Sequence, residues 1–444
     1  MVTAAKPIIT NTTNIMKQLI TIILMVFSLS NFAQTKSLKV SHTLVEGSAG
    51  SVGMSEERLA RLDTMCINAV EESQVPGIVV LVARNGKIVY HKAFGMADNE
   101  GRRVLKRDDI FRIASQTKAI TSTAAMMLWE EGKFSLDDPI SMYIPEFKNA
   151  QVLDTLFESD TTYLTIPATN EITIRHLLTH TSGLGYGNID GDIRFRMIYN
   201  KAGITDLFTT EDISIEESVS KLGELPLHHN PGEKFTYCEG LDVLGYLVEI
   251  ISGEPLNEFF RIHIFNPLGM DDTWFYLPKS KYSRLVAIQK PENGKWIKYP
   301  VTFYDPDYPI KGAKRFYSGG AGLSSTAKDY AKFLQMYLNG GELNGIRLLS
   351  RTTVQFIMSN QTGELFNDAG AYYGLAFSVI NQKGQDMGGR GSIGTFGWGG
   401  YFNTQYFADP KENTIGIIMK QTQGANLDKT ASKYQQLIGQ SIDD

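Results

Sequence analysis

The chain has 444 residues with a net charge of −5, and hydrophobic residues make up 42% of it. That length suits one large core or two lobes, and the composition is that of a folded globular protein rather than a disordered one. The acidic balance offers no basic footprint for nucleic acid.

The N-terminus reads as an export signal. Lys17 precedes an apolar run from Leu19 to Leu29, and Ser30-Asn31-Phe32-Ala33-Gln34 follows it. A basic start, a short apolar stretch and a small residue before polar chain predict a secretory signal peptide cleaved near Ala33-Gln34, with Met16 the better start. The run is shorter than the roughly 20 residues of a spanning helix. The expectation is therefore a periplasmic or secreted protein with no stable membrane anchor, with 1–33 as signal and 34–54 as linker.

A helix is predicted from Ser55, which can cap it, to about Val70, since Leu59, Leu62 and Ile67 recur near helical spacing. The apolar run Gly77 to Ala83 predicts a strand buried on both faces. Asn85-Gly86 before Lys87-Ile88-Val89-Tyr90 is a type I′ hairpin signal. Further on, a helix beginning near Ser115 stops at Gly132, and Thr173 caps another around Ile174 to His180. Leu241 to Ile251 ends at Ser252-Gly253, and Ser325-Thr326 opens a helix to Asn339. Tyr186 to Glu216 reads as a long surface connection of the kind that forms lids. Asn403 to Ala408 and Thr414 to Gln421 are strand-like, and a polar helix from about Leu427 closes the chain.

Both termini thus supply antiparallel strands with flanking helices, while the middle is mainly helical. The expected fold is α+β: a lobe built from 55–133 and 310–444, with a mostly helical lobe, 134–309, inserted between its halves.

The residues that carry chemistry begin with Ser115-Gln116-Thr117-Lys118. Positions i and i+3 of a helix share a face, about 5–6 Å apart at Cβ, so an amine stands beside a hydroxyl. A serine becomes a useful nucleophile when a neighbour takes its proton. At a helix start its own N–H is also free to meet negative charge. Tyr237, in Tyr237-Cys238-Glu239, can act as general base or acid if cations ease the loss of its proton. Gly397-Trp398-Gly399-Gly400-Tyr401 enters a strand whose glycines let a ligand approach the backbone. There the N–H of Tyr401 can pair with that of Ser115 as an oxyanion hole.

The order S-x-x-K, tyrosine, Gly-rich strand resembles the serine β-lactamase and penicillin-binding-protein superfamily. Thr173 to Leu184 (TIRHLLTHTSGL), Pro267-Leu268-Gly269-Met270 and Gly320 to Thr326 (GAGLSST) are similar to further landmarks of that family. The resemblance covers about Ser55 to the C-terminus and is to the class C β-lactamase-related branch that includes the family VIII carboxylesterases. It implies a β-lactamase/transpeptidase-like fold, Ser115 as the acylated nucleophile, Lys118 as its activating partner and Tyr237 as general base or acid. Which group takes the proton during acylation stays open. It also implies the Ser115 and Tyr401 N–H groups as the oxyanion hole.

Two positions depart from class C enzymes. Glu239 stands where they have Asn, and Trp398-Gly399-Gly400 stands where they have Lys-Thr-Gly. The esterase members have a Trp-Gly-Gly of this kind, and an indole beside the nucleophile favours an apolar group over a carboxylate. The resulting expectation is a serine hydrolase of small or medium carboxylic esters, with Glu239, Trp398, Gly399 and Gly400 contacting substrate. A β-lactamase or D-amino-acid peptidase, and a non-catalytic binding protein on the same fold, are the alternatives.

The mechanism implies no cofactor. His176 and His180 share a zinc-compatible spacing, but structural roles are expected for both. His228-His229 are expected in a solvated loop, and the basic cluster Arg102 to Arg107 on a solvated face. Cys66 and Cys238 are expected as free, buried residues. The partner expected is a small ester or amide, and the oligomeric state is left open.

Overall fold

The computed structural model describes residues 1, 35–41, 43–366 and 368–444. The signal-peptide reading lies outside the described residues. Among them no helix is long and apolar enough to cross a membrane.

Among the described residues a nine-stranded sheet organises the molecule. In chain order its main strands are β1 (Val45–Glu46), β2 (Gly77–Arg84), β3 (Lys87–Asp98), β4 (Ala371–Tyr373), β5 (Ser378–Ile380), β6 (Phe396–Gly400), β7 (Thr404–Asp409) and β8 (Thr414–Met419). They lie side by side as β4-β5-β6-β7-β8-β2-β3-β1, and Arg103–Val104 adds to β3. Every pairing along that path is antiparallel except β1 with β3. The chain's two ends therefore meet between β8 and β2, where Ile417 pairs with Leu81.

The sequence explains the sheet's centre. All eight residues of β2 are buried. Val79, Leu81 and Ala83 pack into the core shared with the helices of the middle of the chain. Ile78, Val80 and Val82 pack on the opposite face against Leu62, Cys66, Tyr434 and Ile438. Side chains alternate across a strand, so a continuous apolar run fits only a strand covered on both sides. Each fully buried Val, Leu or Ile stabilises by about 1.5–3 kcal/mol. The β2–β3 turn has Asn85 at φ +51 and Gly86 at φ +75, the two positive angles its Asn-Gly permits.

The helices that matter here are α1 (Arg61–Glu71), α2 (Thr117–Glu130), α3 (Ile174–Leu178), α4 (Ile193–Ala202), α5 (Gly240–Ser252), α6 (Ala327–Leu338) and α7 (Thr430–Gln440). Ser55 caps a short helical turn, Glu56–Leu59, that leads into α1. Thr173 and Thr326 cap α3 and α6 with their side chains, each satisfying an N–H that the first turn leaves without a partner.

Three expectations change. The stretch 186–216 is no surface strap: it contains α4 and buries Tyr186, Phe195, Tyr199, Leu207 and Phe208. Its large apolar residues outweigh the Gly and Asp that suggest a loop. The middle of the chain also carries β structure, the hairpins Gln151–Phe157/Thr162–Pro167 and Gln289–Glu292/Lys295–Lys298. His228 and His229 are not solvated. His228 stacks on Phe195 at 3.3 Å and pairs with Asp190, and His229 is 5% exposed. Cys66 and Cys238 are free and buried.

Candidate active site

Ser115 sits in a 3₁₀ turn, Ala114–Gln116, that runs straight into α2. Ala114 has φ +43, a conformation that costs a non-glycine residue about 1–2 kcal/mol. The surroundings hold it there. The Ile113 N–H donates to the Leu323 carbonyl at 3.0 Å, and Phe111–Arg112 pairs with Ser324–Ser325. This sharp turn presents Ser115 at the head of the helix instead of on its flank.

Lys118 follows one turn later and is 1% exposed. Its Nζ contacts Ser115 Oγ at 3.3 Å, the Tyr186 hydroxyl at 2.9 Å and the Gly320 carbonyl at 2.9 Å. The nitrogen is thus fixed by three oxygen partners, one of them the nucleophile. The Gly320 carbonyl is itself positioned: Asp242, on α5, accepts from Ser318 Oγ at 2.5 Å and from the Gly320 N–H at 3.2 Å. A Cβ at Gly320 would sit 2.4 Å from Asp242 Oδ2, so only glycine fits. Burial raises the Asp242 carboxyl, opposed by the Ser318 bond and the Lys118 charge.

Tyr237, half-buried, reaches the same centre from the segment before α5. Its ring lies 4.7 Å from Lys118 Nζ, and its hydroxyl oxygen accepts from Trp398 Nε1 at 3.3 Å. Beneath it His180 packs at 4.5 Å between ring centroids. Burial, then the Lys118 charge, pushes His180 well below the usual imidazole range, so its ring meets the phenol as a neutral imidazole. His180 Nδ1 accepts from the Cys238 N–H at 3.2 Å, a structural role. Among the described residues no cluster of His, Cys, Asp and Glu is arranged to hold a metal ion.

Strand β6 closes the opposite side. Its register sets Trp398 across from Tyr406 and Gly400 across from Thr404. A Cβ at Gly400 would lie 2.4 Å from the Ile113 carbonyl oxygen. The missing side chain is what lets the end of β6 press against the turn that carries Ser115. Between these elements lies a cleft of about 490 Å³. Ser115, Tyr237, Trp398, Gly399, Gly400 and Tyr401 line one part of it, and Ile189, Leu207, Phe208 and Phe235 the other.

Of the residues singled out from sequence, Ser115, Lys118, Tyr237, Trp398, Gly399, Gly400 and Tyr401 converge here. Glu239 does not. It is 3% exposed and turned toward Asp206, so it makes no wall of the cleft. At the N-terminal edge of the buried helix α5, its carboxyl is drawn into the protein instead of the opening. Tyr186, Asp242 and Gly320 were missed. The only sequence hint was their neighbourhood: Tyr186 follows the Thr181-Ser182-Gly183 turn, and Gly320 opens the GAGLSST segment.

Comparison with known proteins agrees with this geometry. The family model described as Beta-lactamase matches residues 62–440. Esterase EstB of Burkholderia gladioli is 30% identical over 370 residues, covering 79% of this chain and 87% of its own. Protein Rv1367c of Mycobacterium tuberculosis is 33% identical over 358 residues, covering 78% and 85%. Among solved structures, EstCE1, described as a hydrolase with promiscuous acyltransferase activity, superposes with a TM-score of 0.71 at 26% identity, covering 87% of this chain and 99% of that one. The chain belongs to the Beta-lactamase family and is a serine hydrolase of that family.

Proposed function

We propose that the protein cleaves small or medium carboxylic esters through an acyl-enzyme on Ser115. The observation that carries this is the 3.3 Å approach of Lys118 Nζ to Ser115 Oγ at the floor of a cleft walled by Trp398, Phe208, Leu207 and Ile189. An ester carbonyl placed over Ser115 has the nucleophile on one side and the N–H groups of Ser115 and Tyr401 on the other. Oγ attacks the carbonyl carbon while its proton passes into the Lys118–Tyr237 pair. The oxyanion is held by the two N–H groups, each worth about 2.7–4 kcal/mol in such sites. Tyr237 then returns the proton to the departing alcohol. A water molecule repeats the sequence on the acyl-enzyme and frees the acid.

The alcohol and acyl groups are expected to be apolar. The described residues lining the cleft include no Lys or Arg, so a β-lactam or peptide carboxylate has no cation to meet, while Trp398 and Phe208 offer apolar surface. The esterase names borne by EstB and EstCE1 point the same way.

A panel of chromogenic short-chain esters, a chromogenic β-lactam and D-amino-acid amides tests the reading. Turnover of esters, with a phosphonate adduct on Ser115, is expected. S115A should abolish both. Y237F should lower kcat by about 10²–10⁴-fold with less effect on KM. β-Lactam turnover at comparable efficiency would overturn the substrate reading, and no turnover with no adduct would favour a binding protein.

A further inference from the structure

We propose that Glu239 and Asp206 form a clamp around one shared proton, which holds two turns of the cleft wall against the segment that presents Tyr237. Both residues are buried, 3% and 5% exposed. The Asp206 carboxylate accepts the backbone N–H of Gly187 at 3.0 Å and that of Asn188. Those residues lie between Tyr186, the acceptor for Lys118, and Ile189, which lines the cleft. A Cβ at Gly187 would meet Asp206 Oδ2 at 2.8 Å, so the turn is fitted to that carboxylate.

Asp206 also begins the second turn. Its carbonyl accepts the Phe208 N–H at 2.6 Å, and Leu207 between them has φ +62. A leucine held at positive φ persists only where its surroundings over-determine it. Leu207 and Phe208 are both cleft residues. Glu239 completes the clamp: it is two residues beyond Tyr237, its N–H donates to the Gly185 carbonyl at 3.2 Å, and its buried carboxyl, whose Oε1 has no other hydrogen-bond partner, lies beside Asp206. One carboxyl pair thus ties together residues 185–189, 206–208 and 237–239.

Two carboxylates in contact away from water cannot both be ionised. The proton sits on Glu239, because the Asp206 oxygens already accept from two N–H groups. Burial, then the Asp206 charge, hold the Glu239 carboxyl well above the usual range. The other titratable groups facing Glu239 are Asp242, Cys238, Tyr186 and Tyr199. Asp242 and Tyr401 face Asp206, and Lys118 faces Asp242. Tyr186 and Tyr199 are pushed well above the usual phenol range and the Cys238 thiol to about 11, mainly by burial, so these three stay uncharged where carboxyls titrate. A carboxyl raised in the fold is neutral at low pH and loses its proton as pH rises through the raised value. The clamp is therefore closed at the acid end and opens as pH rises.

Hydrogen exchange read by mass spectrometry tests this without turnover, so its result stands even if the ester reading, on which the catalytic role of the clamp rests, proves wrong. Wild type, E239Q and E239L would be compared, with thermal melting to verify folding. Gln can donate to Asp206 but has no proton to lose, whereas Leu cannot donate. E239Q is expected to keep wild-type protection over 185–190 and 205–209. E239L should lose about tenfold there, the scale of one lost buried hydrogen bond. As pH rises, and after correction for intrinsic exchange, wild type should lose protection in these segments while E239Q does not. On a chromogenic ester the same split should appear as a rise in KM with little change in kcat. Equal protection in E239L and wild type, or the same pH dependence in E239Q and wild type, would overturn the clamp. If E239L does not fold, the pH comparison of wild type with E239Q decides alone.

Discussion

The Tyr186 hydroxyl stands 2.9 Å from Lys118 Nζ, closer than the 3.3 Å that separates the same nitrogen from Ser115 Oγ. Tyr186 is buried, and burial pushes its phenol well above the usual range. It is therefore a neutral acceptor that fixes where the amine points. Y186F keeps the ring and removes the acceptor. A hydrogen bond to a charged group contributes about 1.5–3 kcal/mol, so kcat/KM on a chromogenic ester should fall about 10- to 100-fold. Wild-type rates in Y186F would mean that the hydroxyl does not position Lys118.

Gly400 sets the distance between β6 and the nucleophile turn. In G400A the new methyl would meet the Ile113 carbonyl oxygen at 2.4 Å and Thr404 Oγ1 at 2.3 Å. The Thr404 hydroxyl can rotate aside, but the Ile113 carbonyl cannot retreat without moving the turn that carries Ser115. Thermal melting should show a loss of about 1–3 kcal/mol, and phosphonate labelling of Ser115 should slow more than stability explains. An unchanged labelling rate would show that the contact is not needed to set the site.

The Trp398 indole N–H donates to the Tyr237 oxygen, which must carry negative charge before it can take a proton as a base and regains that charge when it gives the proton to the leaving alcohol. W398F keeps most of the apolar wall but removes that donor. The expected result is a fall in kcat of about tenfold, the weight of one hydrogen bond to a charged group, with KM for apolar esters nearly constant. A change confined to KM would assign Trp398 to substrate contact alone.

Lys420 and Asp428 form a buried ion pair, with side chains 0% and 4% exposed. It anchors the approach to α7, since Asp428 also accepts from Asn403 Nδ2 and from Thr430. Burial pulls the Lys420 ammonium down. Burial also works against the Asp428 charge, but the Lys420 charge and the Thr430 bonds prevail and hold its carboxylate below the usual range. A depressed carboxyl contributes stability above its unfolded pKa and loses it as pH falls through the folded value. Wild type should therefore lose melting temperature on acidification more steeply than D428N, while K420M, which strands Asp428, should cost about 3–5 kcal/mol at neutral pH. Parallel acid profiles for wild type and D428N would contradict this assignment.

Local chemistry was readable where it is decided locally. The Ser115–Lys118 spacing foretells a shared helix face, Asn85-Gly86 foretells two positive φ angles, and the apolar run from Gly77 predicts a strand covered on both sides. Each rests on the geometry of a few neighbouring residues, which the order of side chains dictates. Glu239 shows the limit. Beside Tyr237 in sequence it invited a substrate-binding role, but which way a side chain turns at the edge of a helix depends on what packs there, and Asp206 is brought in by a distant segment.

The amino-acid order alone settled which residues carry reactive groups and which short elements hold them, because periodicity, capping and turn preferences act over a few residues. Tertiary packing alone decided that Tyr186, 68 residues from Lys118, shares with the Gly320 carbonyl the shortest contact to its amine, that β6 abuts the Ser115 turn, and that the stretch after Tyr186 packs its large apolar residues into the molecule and the cleft wall. Those outcomes depend on how distant apolar faces bury one another, and no local pattern records that.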